Sequence, residues 1–134
     1  MLFAIITFGY SHAQSTIFQA TDVPSTLLVN DGSPIEVGVK FRTTVNGSIT
    51  GIRFYKSSGN TGTHIGHIWD PPNTTTPLAT VTFTGETSSG WQQILFSSPI
   101  SVTAGTTYVA SYYSSAGNYS VTDNYFTSAV VNTP

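Results

Sequence analysis

Cysteine is absent from the 134 residues and charge is scarce: Asp, Glu, Lys and Arg together make up 7% of the chain, against about 25% in an ordinary globular domain. Without cysteine there is no disulfide framework, no thiolate nucleophile and no Cys-ligated zinc or iron–sulfur centre. The four basic residues, Lys40, Arg42, Arg53 and Lys56, are too few to neutralise a run of phosphates, so no nucleic acid is expected as a partner. No basic amphipathic stretch points to an anionic membrane surface, and no apolar run approaches the ~20 residues that span a bilayer. No membrane insertion is expected. The strong helix formers Glu, Lys and Ala are also in short supply. Polarity comes instead from Ser, Thr, Asn, Gln and Gly, and 13% of the chain is aromatic. This is the composition of strands and turns.

Residues 1–8 are apolar and lead to Ser11, Ala13 and Gln14, with small residues where a signal peptidase reads. Residues 1–14 are therefore expected to be a truncated secretory signal, one that lacks the positively charged start. Residues 15–134 are expected to form a single secreted domain at or beyond the cell surface. The alternative for residues 2–8 is a first β-strand.

From residue 33 onward the chain alternates with period two. Ile35, Val37, Val39 and Phe41 share one face; Glu36, Gly38, Lys40 and Arg42 share the other. Asn46-Gly47 then predicts a tight hairpin turn into a return strand over 48–56, with Ile52 and Phe54 on one side and Arg53 and Tyr55 on the other. Further strands are predicted over 63–69, 78–84, 91–96, 99–102, 106–113 and from 119. Pro99 places the 99–102 strand at an edge. This makes eight or nine short strands at the 8–12-residue spacing of a sandwich, about one per turn signal. The expected fold is all-β: an antiparallel β-sandwich, jelly-roll or immunoglobulin-like.

Catalysis has little to stand on. There is no Gly-x-Ser-x-Gly elbow, and the carboxylates Asp22, Asp31, Glu36, Asp70, Glu86 and Asp123 are scattered singly, whereas glycoside hydrolysis needs two of them about 5 to 10 Å apart. His64 and His67 are three apart on a strand and so face opposite ways. No enzyme activity is expected. Asn30-Asp31-Gly32 with Glu36 offers oxygen ligands for calcium, so Asp31 and Glu36 are the candidate metal residues; the alternative is a plain β-turn at Asp31-Gly32. A sugar needs amides or carboxylates for its hydroxyls and an aromatic ring for its C–H face. Trp91, Gln92, Tyr113, Asn118 and Tyr119 offer that mixture and are the candidate ligand contacts. Arg53, His64, Trp69 and Glu86 are the candidate structural network, in which Arg53 and Glu86 are expected to pair because an inward charge needs a partner.

Several blocks together carry a family resemblance: Glu36-Val-Gly-Val-Lys-Phe-Arg42, Gly47-Ser-Ile-Thr-Gly-Ile-Arg-Phe-Tyr-Lys56, Gly59-Asn-Thr-Gly-Thr-His64 running to Trp69, the stretch from Ala79 to Gln93, and Thr106-Thr-Tyr-Val-Ala-Ser-Tyr112. They resemble the bacterial "domain of unknown function 4082" family over about residues 16 to 127. The resemblance implies a secreted β-sandwich module of the kind found beside carbohydrate-active, adhesive or other extracellular domains, with no established activity. It departs from the family at His67, a second histidine, and at Pro134, beyond which the family continues to a last strand. A sandwich without that strand is expected to expose a groove.

Two functions follow as expectations. The first is a non-catalytic extracellular module that binds a carbohydrate or cell-surface polymer. The second is a structural subunit of an extracellular fibre or assembly, with its groove filled by a strand from a neighbouring chain.

Overall fold

A computed structural model describes residues 15–128. The expected signal and its alternative, a strand over 2–8, lie outside the described residues. Eight strands carry the fold: β1 (Thr26–Asn30), β2 (Ile35–Arg42), β3 (Gly47–Lys56), β4 (His64–Trp69), β5 (Ala79–Thr82), β6 (Gly90–Val102), β7 (Thr107–Ser114) and β8 (Asn118–Val121). All pairings are antiparallel, as expected for strands that alternate apolar and polar faces.

One layer is a four-stranded sheet in the order β2-β7-β4-β5. Facing it are two ribbons, β1-β8 and β3-β6. Between the layers lies one cluster: Ile52 and Phe54 from β3, Ile68 from β4, Tyr112 from β7, and Phe83 just past β5. Val37, Ala79, Val81, Ile94, Phe96, Ile100 and Tyr119 pack around it. Phe54 is its centre. Its ring stacks on Tyr112 at 4.3 Å and meets the edge of Phe83 at 4.8 Å. Ile68 is 1% exposed, and burying such a side chain contributes about 1.5–3 kcal/mol.

Three features differ from the sequence expectation. Asn46-Gly47 does not close a hairpin: β2 pairs with β7, and β3 pairs with β6. Gly47 is not among the glycines with positive φ, which a primed hairpin turn requires. The Asn46 side chain instead accepts from the Ala104 N–H at 2.8 Å, so the connection crosses between layers and is tied to the β6–β7 turn. Residues 91–96 and 99–102 form one strand, β6. Its register jumps, with Ile49 opposite Ile100 but Gly51 opposite Leu95, and Pro99 lies in the looped-out stretch because it has no N–H to give. Finally β1, which has no clean alternation, pairs with β8.

The β7–β8 turn shows why a glycine stands there. Gly117 has φ +73°, and a Cβ on it would collide with the Ser33 carbonyl.

Candidate functional site

The polar residues singled out by sequence divide between a closed interior, a latch on one ribbon, and an open sheet face.

The interior centres on His64, at the start of β4 and 0% exposed. Its Nδ1 lies 2.8 Å from Glu86 Oε1, and Lys56 Nζ reaches Glu86 Oε2 at 2.7 Å. Its Nε2 faces the Asn60 side chain at 2.9 Å. Ser114 Oγ also contacts Asn60, and the Asn118 N–H donates to Ser114 Oγ at 3.2 Å. The Asn118 amide donates to the Gly59 carbonyl and accepts from Asn30 Nδ2 at 2.7 Å. With Oδ1 toward His64, Asn60 leaves its own Nδ2 and the nearby Tyr112 hydroxyl without partners of proper geometry. Burial holds the Tyr112 hydroxyl well above its ordinary pKa, and its contacts with Asn60 and the Ser120 backbone offset only part of this. These residues bind three loops and the β1–β8 ribbon together.

Two expectations are corrected here. Glu86 pairs with Lys56 and His64, not with Arg53. Arg53 points outward from β3, while Lys56 shares the inward parity of Phe54. Asn118 is 7% exposed and Gln92 4%, so neither presents its amide to a ligand. Gln92 stands opposite Phe54 and closes the 87–90 turn, accepting from the Thr87 N–H at 2.8 Å and donating to Thr87 Oγ1 and the Gly90 carbonyl.

The latch lies on the outside of the β3-β6 ribbon. The Arg53 guanidinium donates to the Phe18 carbonyl and Thr16 Oγ1 and lies 4.4 Å over the Trp91 ring. Burial draws its pKa down, and Asp22 offsets part of that. Trp91 Nε1 donates to the Asp22 carbonyl at 3.0 Å, and Phe18 packs between Trp91 and Tyr125. Trp91 therefore pins the segment before β1, on which Tyr125 from the segment after β8 packs in turn, a correction to its expected place as a ligand platform. Tyr119 packs against the core, which is also not an open position.

The open face is the outside of the four-stranded sheet. Register places Glu36 opposite Tyr113, and Tyr113 opposite Ile65. The next row is Gly38, Ser111 and His67, and the next is Lys40, Val109 and Trp69. Across these rows runs a hydrogen-bonded chain. Trp69 Nε1 donates to Ser111 Oγ at 2.7 Å, Ser111 donates to Glu36 Oε1 at 2.5 Å, and His67 Nδ1 lies 2.8 Å from the same oxygen. His67 and Trp69 are adjacent rings, 5.3 Å apart. The His67 and Glu36 side chains remain 16% and 36% exposed, and Tyr113 is half-buried beside them. Trp69 thus belongs to this face, away from the His64 network.

Chemically, the arrangement fixes orientations. Ser111 gives its proton to the carboxylate, not to the imidazole, so the chain lacks the hydroxyl-to-base bond of an activated nucleophile. Nor does it form the expected Asp31–Glu36 ion site. Glu36 Oε1 already accepts two bonds, Asp31 sits in the turn after β1 with its N–H on the Gly117 carbonyl, and among the described residues no three His, Cys, Asp or Glu side chains gather to hold a metal ion.

Of the expected ligand contacts, only Tyr113 lies on this face. His67 and Ser111 were not singled out as site residues. Their strand parity was readable, but nothing local announces that β7 lies between β2 and β4.

Comparison with known proteins adds one finding. No curated protein and no solved structure matches the chain. A family model does, over residues 21–134, and the chain belongs to that family, the domain of unknown function DUF4082.

Proposed function

We propose that this chain is a non-catalytic extracellular binding module that takes a carbohydrate or cell-surface polymer on the outer face of the β2-β7-β4-β5 sheet. The observation that carries the reading is the Trp69–Ser111–Glu36–His67 chain. It joins an indole, an imidazole and a carboxylate on a solvent-facing sheet, with the Tyr113 ring beside them. Aromatic rings meet the C–H faces of sugar rings, and the carboxylate's second oxygen and the far imidazole nitrogen meet hydroxyls. Because the polar atoms are held by one another, little rotamer freedom remains to be lost on binding.

A glycan panel tests this. Binding to at least one polymer, lost in Trp69→Ala and Tyr113→Ala with the fold retained, is the expected result. No binding across the panel, or binding indifferent to both changes, overturns it.

A second reading is a fibre or assembly subunit completed by strand addition from another copy. It is favoured by the edge of β5, an uncharged strand that among the described residues pairs only with β4. Beside that edge runs a groove of about 670 Å³ lined by Leu78, Ala79, Val81, Leu95, Phe96 and Ile100. Leu95 is 61% exposed there. Unprotected edges of this kind accept strands. Concentration-dependent oligomers that vanish in Leu95→Lys, a change at an exposed position of the groove, are expected under this reading; a strict monomer at all concentrations removes it.

A further inference from the structure

The open face is asymmetric in charge. Of the four basic side chains in the sequence, two are engaged internally: Lys56 with Glu86, and Arg53 with Phe18 and Thr16. Lys40 and Arg42 are not. Both are exposed, both lie on the outward face of the edge strand β2, and neither forms an ion pair with any described residue. Lys40 shares a row with Trp69, with only Val109 between them. At about 4.8 Å per strand, their Cα atoms are about 10 Å apart. Arg42 extends the row of cations by one strand repeat, about 7 Å. Glu36 is the sole carboxylate on the four strands of this sheet. It lies four residues from Lys40, and one of its oxygens is occupied by His67 and Ser111. In a chain where charge is rare and the net charge is −2, two unpaired cations beside a half-buried indole are a local exception.

We infer that the polymer bound on this face is an acidic polysaccharide, a glycan with regularly repeated carboxylate or sulfate groups, held with one ring over Trp69 and its anionic groups on Lys40 and Arg42. This rests on the proposal that a glycan binds here. Each exposed ion contact is weak and screened by salt. A polymer that repeats its charge offers several such contacts at high effective concentration. The indole supplies the contact that salt does not screen.

The test compares polygalacturonate, its methyl ester, dextran sulfate and dextran as ligands of the chain, by isothermal titration and affinity electrophoresis at low and high salt. Polygalacturonate or dextran sulfate is expected to bind at least tenfold more tightly than its uncharged counterpart, and the preference is expected to shrink as salt rises. Whichever of the two binds identifies the anion as carboxylate or sulfate. The double change Lys40→Ala with Arg42→Ala is expected to abolish the preference without moving the melting temperature, since neither side chain forms an ion pair. Equal binding of charged and uncharged polymers, or a preference unaffected by the double change, overturns the acidic ligand while leaving the glycan face standing. Unchanged binding in Trp69→Ala overturns the face itself. Tighter binding of a single-stranded oligonucleotide than of either acidic glycan also overturns the inference.

Discussion

Glu36 and His67 meet across an intervening strand. β2 and β4 both pair with β7 and not with each other, yet Glu36 Oε1 and His67 Nδ1 are 2.8 Å apart. The reach is possible because the residue between them is the small Ser111, itself bonded to the same oxygen, and because Gly38 opposite Ser111 adds no side chain. One carboxylate oxygen of β2 thereby holds two side chains, Ser111 of β7 and His67 of β4.

Ser111→Ala removes the anchor of the Trp69 indole. Ser111 is buried and carries two bonds, and losing a bond of this kind costs about 1 kcal/mol of stability, so glycan binding is expected to weaken as the indole loses its fixed orientation and the melting temperature to fall by a few degrees. Titration with the best-binding polymer measures the first, and tryptophan emission reports a more mobile indole.

Gly38→Ala tests how tightly β2 and β7 approach. A Cβ at this position would lie 2.6 Å from both the Ala110 carbonyl oxygen and Ser111 Cβ, and backbone cannot yield cheaply. The expected loss is about 1–3 kcal/mol, seen as a lower denaturant midpoint, together with weakened binding on the open face.

His64→Ala removes the hub of the interior network, leaving Glu86 and Asn60 without their bonds to it while Lys56 stays paired with Glu86. Emptying a fully buried site of this size costs about 2–5 kcal/mol, so a large drop in denaturant midpoint is expected. Lys40→Ala, on the exposed edge strand, serves as the unaffected control.

Trp91→Ala and Trp69→Ala are expected to separate stability from binding. Trp91 holds Phe18, Tyr55 and Arg53, so its loss lowers the melting temperature and leaves binding unchanged. Trp69→Ala does the reverse. Thermal melts and titrations on both variants check the exchange.

Tyr112→Phe removes a hydroxyl that burial holds above its ordinary pKa. Above about pH 10 the unfolded chain releases this proton and the folded chain keeps it. The folded state then binds more protons, and stability falls as pH rises, by about 1.4 kcal/mol per pH unit for this group. Below pH 10 the contribution is fully present. The variant is expected to lose this alkaline decline and to match the parent at neutral pH, because the hydroxyl lacks a partner of good geometry there. Denaturation series from pH 7 to 11 measure both.

Much of the fold was legible locally. The alternation of β2 put Val37 and Glu36 on opposite faces, and that of β3 did the same for Phe54 and Arg53; the structure has both arrangements, although the inward position expected for Arg53 belongs to Lys56. The three-residue spacing of His64 and His67 separated them onto opposite faces, and they bond different carboxylates. Local reasoning failed where a residue's partner is distant in sequence. Asn46-Gly47 looked like a hairpin because turn residues describe how sharply a chain can reverse, not which strand it joins afterwards. Gln92 looked like a ligand contact because its type is polar; only its inward parity on β6, opposite Phe54, sends its amide back to its own turn.

The sequence by itself determined the class of the molecule. Period-two patterning, scarce charge and frequent turn residues leave an antiparallel β fold as the arrangement that buries the apolar half of each strand and satisfies its backbone. Tertiary structure alone decided the strand order, and with it the site. Glu36, His67, Trp69 and Ser111 are spread over 75 residues, as the Glu36–Ser111 bond shows. They meet because β7 lies between β2 and β4. That order is set by how the whole core packs around Phe54 and Tyr112, a sum of many weak contacts that no local stretch of sequence contains.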